Sequence, residues 1–211
     1  MARLLRSSLA DISVAPQVAR ELDCDGVVVL PTDSVYGVGA AAREGNPGHK
    51  RIFAIKGRSR AQTLPLLVGA PDDLRSYGTN VPEWAYRAAC MLWPGAVTFV
   101  VRASSRIADE YKAADGTVAL RVPDAPLVRA VIKEQGCPLA MTSANTHGSS
   151  SPASFEELEE AILDKVDVAV DGGRCPVGVA STIVDATGMV PRILREGMVD
   201  LAEVFAAGNL K

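Results

Sequence analysis

The strongest constraint on this chain is an alternation. Short apolar runs rich in β-branched residues recur along it, and the segments between them carry helix start and stop signals. Residues 26–30 read GVVVL, bounded by turn residues; a run that short, with no polar alternation, is expected as a strand buried on both faces. Residues 64–68, 96–101, 117–122, 138–142 and 166–170 repeat the pattern. Between them, Asn46-Pro47 supplies an N-cap and a first-turn proline. Ile52, Phe53 and Ile55 then form an apolar helix face, and Gly57 ends it. Residues 82–93 read as a helix halted by Pro94-Gly95, 125–135 as one closed by Gly136, and 201–207 as a short last helix. Ser154 and Glu157 form a capping box expected to open an acidic helix. Residues 181–184 and 192–195 flank Thr187-Gly188, a hairpin signal that adds antiparallel pairing. Interleaved helices and strands predict an α/β layered fold with a mixed parallel and antiparallel sheet. No Pro/Gly/Ser-rich linker divides the chain, so residues 1–211 are expected as a single domain with its core at about 7–200.

Composition narrows the function classes. With 48% apolar and 22% charged residues, the chain is neither disordered nor a coiled coil. No apolar stretch reaches the ~18 residues of a spanning helix. The N-terminus, MARLLRSSLADISV, lacks the apolar core of a secretory signal. Cys24, Cys90, Cys137 and Cys175 form no CxxC pair, which argues for reduced thiols and a cytoplasmic location. The net charge is −3, which opposes tight RNA binding and leaves only weak tRNA or RNA contact open. The charge is unevenly spread, however. Residues 43–60 carry a local balance of +5, and residues 154–171 one of −6, the latter read as a solvated helix face.

Three segments carry more special residues than turns require. The first, PTDSVYGVG at 31–39, follows a buried strand, where open α/β sheets place ligands. Its GVGAAA run fits a dinucleotide pattern only loosely, because six residues separate the first glycine from the strand and no ribose-binding acid follows. The second is Lys56-Gly-Arg58-Ser-Arg60. No acid lies between Glu44 and Asp72 to neutralise its three cations locally, so a polyanion such as a nucleotide triphosphate is the expected partner. The third, Thr142-Ser143-Ala-Asn145, offers hydroxyl and carboxamide groups, followed by the Gly148-Ser-Ser-Ser151 loop. Walker A, G-x-S-x-G and H-E-x-x-H motifs are missing, and His49 and His147 form no triad with a nucleophile. Chemistry here is expected to rest on positioned cations and a metal ion rather than on covalent catalysis.

Taken in order, PTDSVYGVGA (31–40), KGRSRAQTLPLLV (56–68), LWPGAVTFVV (92–101), VALRVPD (118–124), PLAMTSAN (138–145), CPVGVASTIVD (175–185) and ILREG (193–197) resemble the YrdC-like threonylcarbamoyl-AMP synthase family over nearly the whole chain. The resemblance implies an open, twisted mixed sheet with flanking helices around a deep basic cavity. It also implies a reaction: L-threonine, bicarbonate and ATP give threonylcarbamoyl-adenylate and pyrophosphate. The product would go to a downstream transferase for the t6A modification at position 37 of ANN-decoding tRNAs. By the same resemblance Lys56, Arg58 and Arg195 are catalytic and phosphate-binding, aided by Mg²⁺ arriving with ATP. Arg60, Thr117, Ser143, Asn145 and Ser151 complete the nucleotide site. Arg121 takes the threonine carboxylate, with Thr32, Asp33, Tyr36 and Ser181 around the rest of the amino acid. Read locally, Arg121 could equally form a structural ion pair with Asp115 or Asp124. The chain departs from the family at Thr146-His147-Gly148, which gives His147 no family role, and at Ser59, where a proline is common. It is expected to be the single-domain form. The rival readings are a related carbamoyl-adenylate-forming domain with another acceptor and a nucleotide- or RNA-binding module without turnover.

Overall fold

The expected strands assemble into one mixed sheet in a computed structural model that describes residues 2–57, 59 and 63–210. The chain opens with β1 Arg3–Arg6, α1 Ala15–Asp23, β2 Val28–Leu30, β3 Gly37–Ala41 and α2 Pro47–Lys56. Next come β4 Leu66–Leu67, α3 Asp73–Tyr77, β5 Gly78–Thr79, α4 Glu83–Leu92 and β6 Val97–Ala103. The second half carries β7 Thr117–Arg121, α5 Pro126–Gln135, β8 Leu139–Ser143, α6 Glu160–Leu163, β9 Val168–Asp171, β10 Thr182–Asp185, β11 Arg192–Arg195 and α7 Leu201–Ala207. The sheet order is β1-β9-β2-β3-β8-β4-β7-β6-β10-β11, with β5 on β6. Pairs β1/β9, β2/β9, β4/β7 and β6/β10 are parallel; β2/β3, β3/β8, β4/β8, β6/β7 and the β10/β11 hairpin are antiparallel.

Burial on both faces explains the unbroken apolar runs. Val28 and Leu30 of β2 pack with Val18 and Leu22 of α1 and with Val128 and Val131 of α5. Val29 faces the opposite layer, which holds Ile52 and Phe53 of α2, Trp84 and Ala88 of α4, and Val204 of α7. The caps read from sequence are in place. The Asn46 side chain accepts from the Gly48 N–H at 2.7 Å, and Gly57 ends α2 at φ +61°. The GVGAA segment, read as loop, is strand β3. Its glycines serve packing: a Cβ on Gly37 would lie 2.6 Å from Met141 Sδ, and one on Gly39 2.9 Å from Met141 Cε.

Helices α1 and α3 were not expected from the sequence, and one expected helix differs. After Ser154 the chain makes only a 3₁₀ turn over Phe155–Glu157 before the short α6. The capping box does not close, because Glu157 accepts from the Ala153 N–H at 2.7 Å and Ser154 bridges to Arg174. The basic run is also partly explained by distant acids: Arg43 pairs with Asp23, and Arg51 with Asp167.

Asp167 ties α2 to the β2/β9 junction, accepting from Arg51 at 2.8 and 3.1 Å and from the Val27 N–H at 2.7 Å. Burial raises its pKa, but the Arg51 and Val27 hydrogen bonds outweigh that and hold it below the ordinary carboxylate value. A depressed native pKa means the stabilisation is present at neutral pH and is lost as pH falls through that lowered value. Asp167→Ala is therefore expected to lower unfolding free energy by about 2 kcal/mol at pH 7 in urea titrations, discounted for the half-exposed guanidinium. The deficit should shrink as pH falls through that lowered value, where the wild-type carboxylate itself is neutralised.

Candidate active site

The loop after β2 is shaped by its own side chains. The Thr32 hydroxyl donates to the Val35 carbonyl at 2.7 Å and accepts from the Ser34 and Val35 N–H groups at 3.1 and 3.2 Å. This turn presents Asp33 to Arg121, at the end of β7, which is separated from β2 in the sheet by the three strands β3, β8 and β4. Nη2 of Arg121 lies 2.6 Å from both Asp33 carboxylate oxygens and 2.7 Å from Ser34 Oγ, while Nε donates to the Gly95 carbonyl at 2.9 Å. The two side chains are only 8% and 5% exposed. Burial disfavours the charged guanidinium and Asp33 opposes that; an ion pair this deep needs further hydrogen bonds, which Ser34 and the Gly95 carbonyl supply. Nη1 of Arg121 has no hydrogen-bond partner among the described residues, so one donor edge of the fork remains for a ligand. Neither local alternative occurs: Asp124 lies 3.9 Å from Arg129, and Asp115 caps Thr117.

Lys56 ends α2 with its ammonium buried. Nζ donates to the backbone carbonyls of Ser143 and Asn145 at 2.5 and 2.6 Å, with Asn145 Oδ1 at 3.4 Å. Asn145 Nδ2 in turn donates to the Thr146 and Ser149 carbonyls, both at 2.8 Å. Lys56 and Asn145 thus help to hold the S-A-N loop together, in addition to whatever contact each makes with a ligand. Across the site, Arg195 of β11 donates to the Ser181 carbonyl at 2.7 Å, and Ser181 Oγ lies 2.9 Å from Thr98 Oγ1.

Between these groups lies a cavity of about 90 Å³, lined by Thr32, Tyr36, Arg121, Ser143, Ser181 and Arg195, and also by Ser34, Thr98 and Thr142. That volume is well under the ~300 Å³ at which drug-sized ligand sites begin; it suits a small polar molecule, while anything as large as a nucleotide must extend outward. Six of the sequence candidates thus converge. Asp33 stands behind the wall as the partner of Arg121 instead of lining the cavity, and the Thr32 hydroxyl is spent on its turn. Thr117 is placed elsewhere. It lies four residues along β7 from Arg121, about 13 Å away, in a separate hollow with Arg102, Asp185 and Arg192. Ser151 sits half-buried on the loop beyond Asn145. Arg58 and Arg60 lie outside the described residues; among the described ones, the guanidinium groups of Arg121 and Arg195 border the cavity. Thr98 and Ser34 went unread because neither stands apart in sequence: Thr98 is one threonine in an apolar strand, and Ser34 one hydroxyl in a turn.

Three further titratable side chains are buried. Burial pushes the Cys175 thiol up to about 11, so it stays protonated at neutral pH. His49 packs against Phe53 and Tyr111, with ring centroids 5.2 and 4.5 Å away. Tyr36 has its hydroxyl held by the Gly172 N–H and the Gly173 carbonyl, and burial raises its pKa far above the ordinary phenol value.

A fold of this topology, with a small cavity lined by hydroxyls, apolar side chains and a buried arginine beside a clamped S-A-N loop, has well-defined relatives. The sequence profile of the Sua5/YciO/YrdC family, described as "Telomere recombination", matches residues 20–197. A Mycobacterium tuberculosis protein is 36% identical over 182 residues, covering 85% of this chain and 83% of that one. The threonylcarbamoyl-AMP synthase of Pyrococcus abyssi is 34% identical over 84% of this chain and 52% of its own length. The crystal structure of P. abyssi Sua5 complexed with L-threonine superposes with a TM-score of 0.89 at 30% identity, covering 98% of this chain and 60% of that one. The chain belongs to the Sua5/YciO/YrdC family. It spans between half and two thirds of the length of the Pyrococcus proteins.

Removing one partner of the buried pair leaves an uncompensated charge. Asp33→Ala is expected to cost about 3–5 kcal/mol of stability, measured by denaturant unfolding, whereas Asp124→Ala and Asp115→Ala should each cost under about 1.5 kcal/mol.

Proposed function

We propose that this chain is an ATP-dependent L-threonylcarbamoyladenylate synthase, converting L-threonine, bicarbonate and ATP into threonylcarbamoyl-AMP and pyrophosphate. The observation that carries the reading is Arg121: its guanidinium is fixed by Asp33 with one nitrogen left open, in a small, partly hydroxyl-lined cavity that ends at Ser143 and Arg195. An immobilised guanidinium suits a carboxylate, and the Thr98 and Ser181 hydroxyls suit the amino acid's own hydroxyl. The amine of threonine forms a C–N bond to the carbon of bicarbonate with loss of water, giving a carbamate. A carbamate oxygen then attacks the α-phosphorus of ATP, and the bond to the β-phosphate breaks as pyrophosphate leaves with its electron pair. The catalytic contribution of the protein is placement and charge. Arg121 orients the amino acid, the S-A-N loop held by Lys56 receives the nucleotide, and Arg195 meets the phosphates with Arg58. Ser143, Ser151 and Arg60 are further nucleotide contacts in this reading. Thr117 fits only if the nucleotide runs along the sheet toward the hollow at Asp185 and Arg192.

Mg²⁺ enters with the ATP phosphates. Among the described residues no group of three His, Cys, Asp or Glu side chains could hold an ion. The neutral hydroxyls lining the cavity leave coordination to phosphate oxygens and water, a mode usual for this ion. Among the described residues no helix is long and apolar enough to cross a membrane. We place the protein in the cytoplasm, where its product would pass to a separate transferase for tRNA t6A synthesis; its net negative charge favours hand-over of the product above tight RNA binding.

Purified protein is expected to release pyrophosphate only when threonine, bicarbonate and ATP are all present; release that ignores threonine would sink the assignment. In calorimetric titrations with an ATP analogue, Lys56→Ala and Arg195→Ala should weaken binding by about tenfold or more. Arg43→Ala, which removes a cation paired with Asp23 on the far side of α2, should leave that binding unchanged.

A further inference from the structure

The acidic segment after the Gly/Ser loop was read as a solvated face, yet two of its carboxylates are turned back onto that loop. Glu159 accepts from the Thr146 N–H at 2.9 Å and from Thr146 Oγ1 at 3.0 and 2.8 Å through its two oxygens. Glu157 accepts from the Ala153 N–H at 2.7 Å. One turn of chain thus pins both ends of the segment that carries Ser149 and Ser151. The same segment is also held by Lys56, which takes the carbonyls of Ser143 and Asn145 and whose charge also favours the ionised Glu159. The Lys56 backbone carbonyl also accepts from the His147 N–H at 2.9 Å. A cation gathers the carbonyls, an anion gathers an amide and a hydroxyl, and the loop between them has little freedom left. The bonds to Glu159 hold its pKa below the ordinary carboxylate value, so it is ionised at neutral pH.

We propose that Glu159 is a positioning residue for nucleotide binding: by holding Thr146 it fixes the S-A-N loop in the geometry that Lys56 also sets. This rests on the reading of the loop as the nucleotide site given above. Glu159 touches no reactant in this account. It acts through Thr146, and the threonine cavity at Arg121 is built without it. Its loss should therefore separate the two substrates, weakening nucleotide and sparing amino acid. General destabilisation would not make that distinction.

The test is calorimetric titration of the full chain with a non-hydrolysable ATP analogue and, separately, with L-threonine. The proteins compared are wild type, Glu159→Gln, Thr146→Val and the double variant, each first shown to be folded by circular dichroism. Each single variant should bind the analogue about five- to tenfold more weakly, with threonine affinity within about twofold of wild type. The double variant should be no weaker than the weaker single, because both substitutions break the same contact. Thr146→Ser, which keeps the hydroxyl and the N–H, should restore analogue affinity. Parallel losses for both ligands, or unchanged analogue binding, would overturn the proposal. Wild-type protein that binds neither ligand would overturn the functional reading itself, and this proposal with it.

Discussion

The site depends on the buried pair between Asp33 and Arg121. Desolvating two charges costs several kcal/mol each, and mutual attraction offsets this only with good geometry and additional hydrogen bonds to the pair. Here the carboxylate meets Nη2 through both oxygens, Nε is spent on the Gly95 carbonyl and Ser34 adds its hydroxyl. The pair joins segments from distant sheet positions: the loop after β2, the end of β7 and the turn before β6. The cavity is bordered by the loop after β2, by Arg121 and by Thr98 of β6. The arrangement also neutralises most of the charge of Arg121, so a carboxylate arriving at Nη1 would be met by a directed donor more than by a bare cation.

The second layer of organisation is the clamped loop after β8. Backbone carbonyls facing a buried ammonium are a strong local preference, and they turn Lys56 from a phosphate-seeking surface cation into part of the scaffold. At the rim stands Arg195, anchored on the Ser181 carbonyl yet exposed, so its guanidinium keeps the freedom to follow a ligand.

Much of this was legible in the sequence, for identifiable reasons. Helix α2 could be bounded because Asn46, Pro47 and Gly57 each have one local function that no tertiary contact overrides. The buried strands announced themselves through unbroken β-branched runs. β1 did not, because RLLR at a sheet edge has no apolar run to notice, and β3 did not, because its glycines make room for Met141 and lower its strand propensity. The capping box at Ser154 failed where a nonlocal demand, the Ala153 amide, captured Glu157. At the site, residue types and their segments were readable, and six of them do meet at one cavity. Their division of labour was not: whether Asp33 faces a ligand or Arg121, and whether Lys56 faces phosphate or carbonyl, is decided by strand order and loop path, which a linear sequence does not display.

The most direct test of this account is a crystal structure of the chain with L-threonine and a non-hydrolysable ATP analogue bound together. The account predicts the threonine carboxylate on Nη1 of Arg121 with the Asp33 contact intact, and the triphosphate between the S-A-N loop and Arg195. A structure in which Arg121 has left Asp33, or in which the two ligands occupy another face of the sheet, would contradict it.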